Sequence, residues 1–410
     1  MFEGTPLIEH LVIEDQIFVN ARDKDDPEMA KIKTTIIDVA KTQPTWGQNV
    51  PKCFIPLQME FSALVKKGID LITMEHLIKI NSQHPIRPLT QAELKVFLKF
   101  QHAIGSLLYF DEKGLDSHII LSPTHLIDAF KSIITDKSFC GTDKKRQAAW
   151  DTMERTGVIN KSVIDEIWRK KYKHFYKNKD YLLGVMLHLD ILVEPRRYDK
   201  YHRRIPAVFY YVASMVRKED QTGYLMSSQF IHRNIALAIC PSTVIIPPAL
   251  AFRYISYCLS IWGVKKYGQN DEDMLFHRSA VFTIDPSLDL HVQCEDKYLV
   301  MRLVHNKNKT LIIRDLSSSL RECLVSAMEK ISQLYIRTSS EKIDEDEHSF
   351  KLFVGCSSPI DPCYISAEEL SKMGSSWICP THQLEHGTEL MLSWFTSKVD
   401  IHPILFFAMR

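Results

Sequence analysis

The chain has 410 residues, of which 45% are hydrophobic and 25% charged, and its formal net charge is +1. This composition is that of an ordinary globular protein that can bury several cores, and the near-zero charge excludes a general attraction to nucleic acid or anionic membranes. Nine irregularly spaced cysteines and an N-terminus without a long apolar run predict reduced thiols, a cytoplasmic protein and no secretory signal. The longest apolar stretch, residues 245–264, contains two prolines and an arginine, which favours a buried helix over a membrane span.

The first 50 residues predict one strand and one helix. Residues 16–20 have the composition of a short buried strand. Acidic residues precede Pro27 where a helix would begin, and Ile32 and Ile36 follow at helical spacing. One strand and one helix cannot form a core alone, so this segment is typical of the end of an α/β domain.

Residues 51–190 predict several helices and one hairpin. Thr90 and Glu93 have the spacing of a capping box at a helix N-terminus. Two apolar runs, 107–110 and 118–121, flank a turn and predict a hairpin, and Pro123 opens another helix. Helices followed by a two-stranded wing indicate a winged-helix-like subdomain.

Residues 191–340 predict an antiparallel α+β subdomain. A helix begins at Pro247-Pro248, strands cover about 279–284, 288–294 and 298–304, and a long helix covers about 319–336. The strands carry more apolar side chains than one helix can cover, so we expect a homodimer through residues 190–340. The aromatic residues expected to contribute to that surface are Tyr210, Tyr211, Tyr254, Tyr257 and Trp262.

Residues 341–410 predict an acidic linker followed by a small unit that contains cysteine and histidine. Cys379 and His382 have the spacing of a zinc-knuckle turn, and Cys356 and Cys363 form a looser pair. His386 is a competing ligand, and buried free thiols are the alternative interpretation. The spacing alone leaves open whether Cys356, Cys363, Cys379 and His382 bind zinc, so we assign no metal ligand.

Three short strings resemble nucleotide-binding motifs only superficially. Residues 263–270 have the glycine spacing of a phosphate-binding loop but lack its lysine and hydroxyl residue. Asp111 and Gly114 fall in the predicted hairpin turn, and Asn178 is better explained as a helix N-cap. The sequence therefore indicates no catalytic residue, no cofactor-binding residue and no cofactor, and we predict that the chain is not an enzyme.

Two segments, 168–177 and 196–204, interleave basic and aromatic residues. Such mixtures can bind single-stranded nucleic acid by stacking and charge. A winged-helix nucleic-acid-binding protein is therefore an alternative interpretation, but the near-zero net charge favours local contacts within the protein.

Several ordered strings of the chain resemble Roco proteins, in which a Ras-like Roc GTPase domain is followed by a COR domain. Residues 18–23, 26–28, 40–47 and 50–51 are similar to the last strand, the last helix and the Roc–COR junction. Residues 107–111, 119–123 and 126–129 are similar to the COR wing and its following helix, and residues 157–159 and 181–192 to the next strand and helix. The resemblance covers about residues 10–340. The phosphate-binding, switch and guanine-reading motifs of the Roc domain have no counterpart in this sequence. The kinase domain that some relatives carry has no counterpart either.

The resemblance implies four regions: 1–50, a C-terminal remnant of Roc with a linker; 51–190, a COR-A subdomain; 191–340, a COR-B dimerisation subdomain; and 341–410, the tail. It implies a non-catalytic module of intracellular signalling that dimerises and couples to a Roc GTPase domain, in cis or in trans. The alternative within the family is a fragment of a larger Roco GTPase and serine/threonine kinase whose GTP-binding part lies upstream. We expect no membrane partner.

Overall fold

A computed structural model describes residues 17–23, 25–43, 46–47, 49–85, 87–134, 140, 143–198, 201, 203–226, 234–241, 246–305, 314–336, 350–358 and 360–395. The chain forms two compact units, Met1–Ser106 and Leu107–Arg410. Both contain helices, and antiparallel strands form the centre of the second, so the predicted α+β fold class is confirmed. The predicted domain boundaries remain predictions.

The first unit is mainly helical. The capping box is confirmed, because Thr90 Oγ1 accepts from the Glu93 amide at 3.3 Å and Glu93 Oε2 accepts from the Thr90 amide at 2.8 Å. The core consists of apolar side chains repeated at helical spacing, including Leu57, Phe61 and Phe97. Its elements are α1 (Glu28–Thr42), α2 (Ile55–Lys66), β1 (Leu71–Thr73), α3 (Met74–Ser82) and α4 (Gln91–Ala103).

The N-terminal segment of this unit agrees only in part with its prediction. The helix is present as α1, and just before it the carboxylate of Asp26 accepts from the Glu28 amide at 2.9 Å. The strand predicted at 16–20 is wrong for residues 17–20, and residue 16 lies outside the described residues. A strand needs a hydrogen-bonding neighbour, and none of the described segments pairs with these residues.

The second unit begins with the predicted hairpin and a group of helices. Leu108 and Ile120 exchange both backbone hydrogen bonds, at 2.9 and 3.0 Å, and α5 begins at Pro123 as expected. Trp168 is fully buried, and its Nε1 donates to Ser132 Oγ at 2.6 Å. The elements are β2 (His118–Ile120), α5 (Pro123–Ile133), α6 (Lys144–Thr156), β3 (Val158–Asn160), α7 (Lys161–Lys171), α8 (Lys173–Lys177), α9 (Lys179–His188), β4 (Arg197–Tyr198), β5 (Arg204–Ile205) and β6 (Phe209–Tyr211).

The centre of the second unit is an antiparallel sheet of eight strands, in the order β11-β12-β13-β14-β7-β15-β16 with β8 also paired to β12. The three predicted strands and the two predicted helices are confirmed within a few residues. The sheet and its neighbours are β7 (Asn234–Pro241), α10 (Pro248–Ile261), β8 (Gly263–Val264), β9 (Lys266–Tyr267), β10 (Glu272–Asp273), β11 (Leu275–Phe276), β12 (Ser279–Asp285), β13 (Leu288–Cys294), β14 (Leu299–His305), α11 (Arg314–Ile336), β15 (Phe350–Gly355) and β16 (Tyr364–Ser366).

The two faces of this sheet differ because side chains alternate along each strand. Leu290, Leu303 and Leu237 lie on the apolar face, where they share a core with α10 and α11. The other face carries buried polar groups, among them Asp289 and Arg302.

The expectation that apolar strand residues are left uncovered is wrong. The apolar strand side chains other than the half-buried Ile284 are buried within one chain, as are Tyr210, Tyr211 and Tyr254. Tyr257 and Trp262 are half-buried. Helices α10 and α11 together cover the apolar strand side chains that a single helix was expected to leave exposed. The homodimer through residues 190–340 remains a prediction, but this reason for it does not hold.

Residues 350–358 and 360–395 are continuous with the sheet. Strand β15 lies between β7 and β16, with Val354 opposite Leu237. Trp377 and Trp394 belong to the same apolar core as the sheet. The remaining elements are α12 (Ala367–Ser371), β17 (Ser376–Ile378), β18 (Glu385–Gly387) and α13 (Thr388–Met391).

Candidate metal centre

Four metal-ligating side chains converge beside the sheet. Cys356 directly follows β15, Cys363 directly precedes β16, and Cys379 and His382 lie in the turn between β17 and β18. Their ligand atoms all lie within 4.8 Å of one another, and the three cysteines are buried. The structure therefore brings together all four residues that the sequence spacing had left open as zinc ligands.

The distances from the histidine nitrogen to the three sulfurs are close to those of a tetrahedral site. His382 Nδ1 lies 3.8 Å from Cys356 Sγ, 3.9 Å from Cys363 Sγ and 3.7 Å from Cys379 Sγ. Tetrahedral zinc with ordinary Zn–S and Zn–N bond lengths separates sulfur from nitrogen by about 3.6 Å. A metal at the centre would need only small side-chain adjustments.

The imidazole of His382 is already held in the orientation that a metal ligand needs. Its Nε2–H donates to the carbonyl oxygen of Ile360 at 2.9 Å. This bond puts the proton on Nε2 and leaves the Nδ1 lone pair directed at the three sulfurs.

Backbone amides support the sulfur atoms. The Cys363 amide donates to Cys356 Sγ at 3.2 Å, and the Thr381 amide donates to Cys363 Sγ at 3.3 Å. Burial raises the pKa of Cys356, and the amide hydrogen bonds offset only part of that increase. Burial also raises the pKa of Cys363, but hydrogen bonds led by those from Thr381 outweigh it, so that pKa is lowered overall.

The turn that carries Cys379 and His382 is tight. The Gln383 amide donates to the Cys379 carbonyl at 3.0 Å, and Gln383 itself has a φ of 54°. His386, the competing ligand in the sequence, lies outside the cluster in β18, with its ring centroid 5.7 Å from that of Trp377.

Sequence reasoning missed two residues that fasten this site to the sheet. Arg302 Nη1 donates to the carbonyl of Cys356 at 3.1 Å, and Asn234 Nδ2 donates to the carbonyl of Ser357 at 3.1 Å. The available indication was a single arginine inside the otherwise apolar strand β14. Only the register of β14 beside β7 brings it next to Asn234.

The strings that resemble nucleotide motifs are turns. Residues 263–270 form the short strands β8 and β9 and the turn into β10, with Gly268 at a φ of 71°. Gly114 has a φ of 93° in the hairpin turn. Asn178 occupies the predicted N-cap position of α9, although its side chain makes no capping hydrogen bond.

The basic and aromatic segment 168–177 is part of a core. Phe175 is buried with Trp168, and Tyr172 stacks on Phe175 with the ring centroids 5.6 Å apart. Lys170 pairs with Glu166 at 2.5 Å. These aromatic rings are therefore engaged within the protein, which weakens the nucleic-acid alternative. Segment 196–204 is described only in part.

The helix that would follow a wing, α5, does not have the character of a basic recognition helix. Its Lys131 lies 3.7 Å from Asp128, and His125 packs against Phe175 with the ring centroids 5.1 Å apart. In the part of the chain that the structure describes, no helix is long and apolar enough to cross a membrane.

Comparison with known proteins identifies one domain of the chain. Residues 51–208 match the family model described as "C-terminal of Roc, COR-A domain". The chain carries a Roco-family COR domain. Residues 51–208 of this COR protein include helices α2 to α9 and the hairpin that carries β2.

Two curated proteins of Dictyostelium discoideum are similar to parts of this COR protein. One, "Probable serine/threonine-protein kinase roco6", is 27% identical over 151 residues, which are 36% of this chain and 6% of that protein. The other, "Cyclic GMP-binding protein C", is 23% identical over 145 residues, 35% of this chain and 5% of that protein. The COR protein thus spans only a small part of the length of these relatives.

A solved structure of Roco2 RocCORdC from Methanosarcina barkeri, bound to GDP, is also similar. It shares 13% identity at a TM-score of 0.32, over 47% of this chain and 52% of that one.

Proposed function

We propose that this protein is a non-catalytic COR module of intracellular signalling that couples to a Roc GTPase domain and forms a homodimer. Residues 51–190 would contact Roc, and residues 191–340 would form the dimer. The observation that carries the coupling role is the uncovered apolar surface of α1, directly before the COR-A domain. None of the 15 residues of this helix is buried.

The uncovered surface has the chemistry of a domain contact. Ile36 is 62% exposed, Phe18 81% and Trp46 57%. Ile32 and Ile36 are four residues apart and lie on the same side of the helix. Isolated exposed apolar residues are common, but several on one short segment indicate a partner. The sheet of a Roc domain, against which α1 would pack as the last helix, is the occupant we propose.

The relatives are compatible with this role and with the alternative of a larger polypeptide. One is named a probable serine/threonine-protein kinase, and the chain covers 6% of it. A COR module within a Roco GTPase and kinase would find its Roc domain in cis. A separate chain would bind one in trans.

Binding to a Roc domain tests the coupling. We would express a Roc domain without its last strand and helix and measure its binding to this chain by calorimetry. Ile36→Lys places a charge in the proposed contact, so we expect at least tenfold weaker binding, a change of about 1.4 kcal/mol. Thr34→Lys adds the same group at an exposed position of the same helix and should bind like the natural chain. Equal binding by both variants would contradict the contact.

The chain alone should neither bind nor hydrolyse GTP. Phosphate binding needs a lysine and a cradle of backbone amides, and residues 263–270 form strands and a turn instead. Calorimetry with GTP and magnesium at micromolar protein concentration would measure this. A saturable heat signal would show that a nucleotide site exists.

Sedimentation velocity across a concentration series tests the homodimer. A dimer through residues 191–340 should persist when residues 1–50 are deleted. A monomer up to tens of micromolar in both forms would remove dimerisation from the proposal while leaving the coupling intact.

A further inference from the structure

We propose that Cys356, Cys363, Cys379 and His382 bind one Zn²⁺ in a closed structural site that fastens the C-terminal residues to strands β7 and β14. The site stands independently of the Roc coupling and of the homodimer. Its ligands come from two places in the sequence, the loop between β15 and β16 and the turn between β17 and β18.

The donor set selects zinc and a structural role. Three thiolates and one imidazole at tetrahedral distances form one of the common structural zinc coordination sets. All four positions are filled by protein, so no open position remains for water or substrate, as catalysis would require. A disulfide would use two sulfurs and would not require the imidazole nitrogen to lie within 3.9 Å of all three.

The surroundings of the ligands are organised for a metal. The Nε2–H of His382 donates to Ile360 O, which fixes the ring with Nδ1 towards the sulfurs. Amides of Cys363 and Thr381 donate to sulfur, which is the arrangement that stabilises metal-bound thiolates. These contacts would be retained when the metal binds.

The charge of the site gives a second, independent observation. Zinc with three thiolates and a neutral histidine carries a net charge of minus one. Arg302 is 2% exposed. Its Nη1 donates to the backbone carbonyl of Cys356 at 3.1 Å and to Asn234 Oδ1 at 3.5 Å. Burial lowers the pKa of Arg302, and the nearby carboxylate of Glu295 offsets only part of that effect. A buried cation is stabilised by nearby negative charge, and the zinc–thiolate centre would add to the charge of Glu295.

The site is connected to the sheet through backbone that has little freedom to move. Gly355 pairs with Ala236 across β15 and β7. A Cβ at Gly355 would lie 3.0 Å from Ala236 Cβ and 3.1 Å from the Tyr364 ring, so the two strands approach closely here. The next residue is the ligand Cys356. Zinc would therefore join the end of β15 to the β17–β18 hairpin, in addition to the packing of Trp377 in the core of the sheet.

Metal analysis of the full chain, purified without chelator under reducing conditions, is the primary test. We expect one zinc per chain, and we expect cobalt substitution to give the strong visible bands of a tetrahedral site with thiolate charge-transfer absorption. Zinc below about 0.1 per chain, even after reconstitution with the metal, would overturn the proposal. A disulfide within the cluster in the natural chain, found by mass spectrometry, would also overturn it.

Variants separate ligation from general damage. Cys379→Ser and His382→Gln should lose most of the zinc, whereas the controls Cys240→Ser and His386→Gln, a half-buried thiol and the nearby histidine outside the cluster, should retain it. Arg302→Met should weaken zinc binding by about 10–100-fold while leaving the ligands in place. Equal zinc content in the ligand variants and the controls would contradict the assignment.

Hydrogen exchange tests the structural role on the natural chain, so it does not depend on a variant that folds. A chelator should raise deuterium uptake in β15, β17 and β18 and leave β13, in the sheet interior, unchanged. Unchanged uptake after proven zinc removal would overturn the fastening role.

Discussion

The buried carboxylate of Asp289 offers a quantitative test of how the polar face of the sheet is held. Asp289 is fully buried in β13. Its Oδ2 accepts from Lys265 Nζ at 2.6 Å and from the Tyr224 hydroxyl at 2.6 Å. Burial and the hydrogen bond to Asp289 raise the pKa of Tyr224, so this hydroxyl stays protonated and donates.

Replacing Lys265 with methionine should destabilise the sheet by about 3 kcal/mol. Removing one partner of a buried ion pair costs about 3–5 kcal/mol, because the remaining charge is left uncompensated. We expect the lower end because Tyr224 still donates and the Lys265 side chain is 25% exposed. Adding Asp289→Asn to this variant removes the buried negative charge and should recover about 1 kcal/mol or more.

Hydrogen exchange of the β12–β14 amides in urea would measure the free energy of opening of this sheet without assuming that both units unfold together. Lys170→Met, which breaks the pair with Glu166 at the surface, is the control and should have a much smaller effect. If Lys265→Met and Lys170→Met lower the opening free energy equally, the ion pair at Asp289 does not stabilise the sheet as we argue.

Two further predictions concern pH and backbone geometry. Burial, with a smaller contribution from Arg302, lowers the pKa of His291 to about 4. In the unfolded chain this histidine binds a proton at its ordinary pKa of about 6.5. The free energy of unfolding should therefore fall by up to about 3 kcal/mol as the pH drops from 6.5 to 4. His291→Gln should reduce that slope in unfolding experiments across this range, and an identical slope would contradict the argument. Gly157→Ala should cost about 2 kcal/mol or more, because φ is +70° and the new Cβ would lie 2.8 Å from Val216 Cγ2. Gly374→Ala, with open space around it, should change the unfolding midpoint little, and equal midpoints for the two variants would refute this prediction.

The sequence alone predicted the elements whose causes are local. The capping box of Thr90 and Glu93, the start of α5 at Pro123 and the strands β12 to β14 depend on residues that are neighbours in the chain. Ordered strings also indicated the Roco family, and the COR-A match confirms it for residues 51–208.

Tertiary structure decided what depends on distant pairing. Periodicity showed that the strands are apolar, but only the packing of both α10 and α11 showed that one chain covers them. Spacing offered Cys379 and His382 as a possible knuckle, yet Cys356 lies 26 residues from His382. Strand β15 pairs with β7, so that Cys356 at its end lies beside Cys379 and His382. The register of β14 brings Arg302 within hydrogen-bonding distance of the Cys356 carbonyl. Pairing between distant strands depends on the whole fold, so the residue types could be predicted from the sequence but their convergence could not.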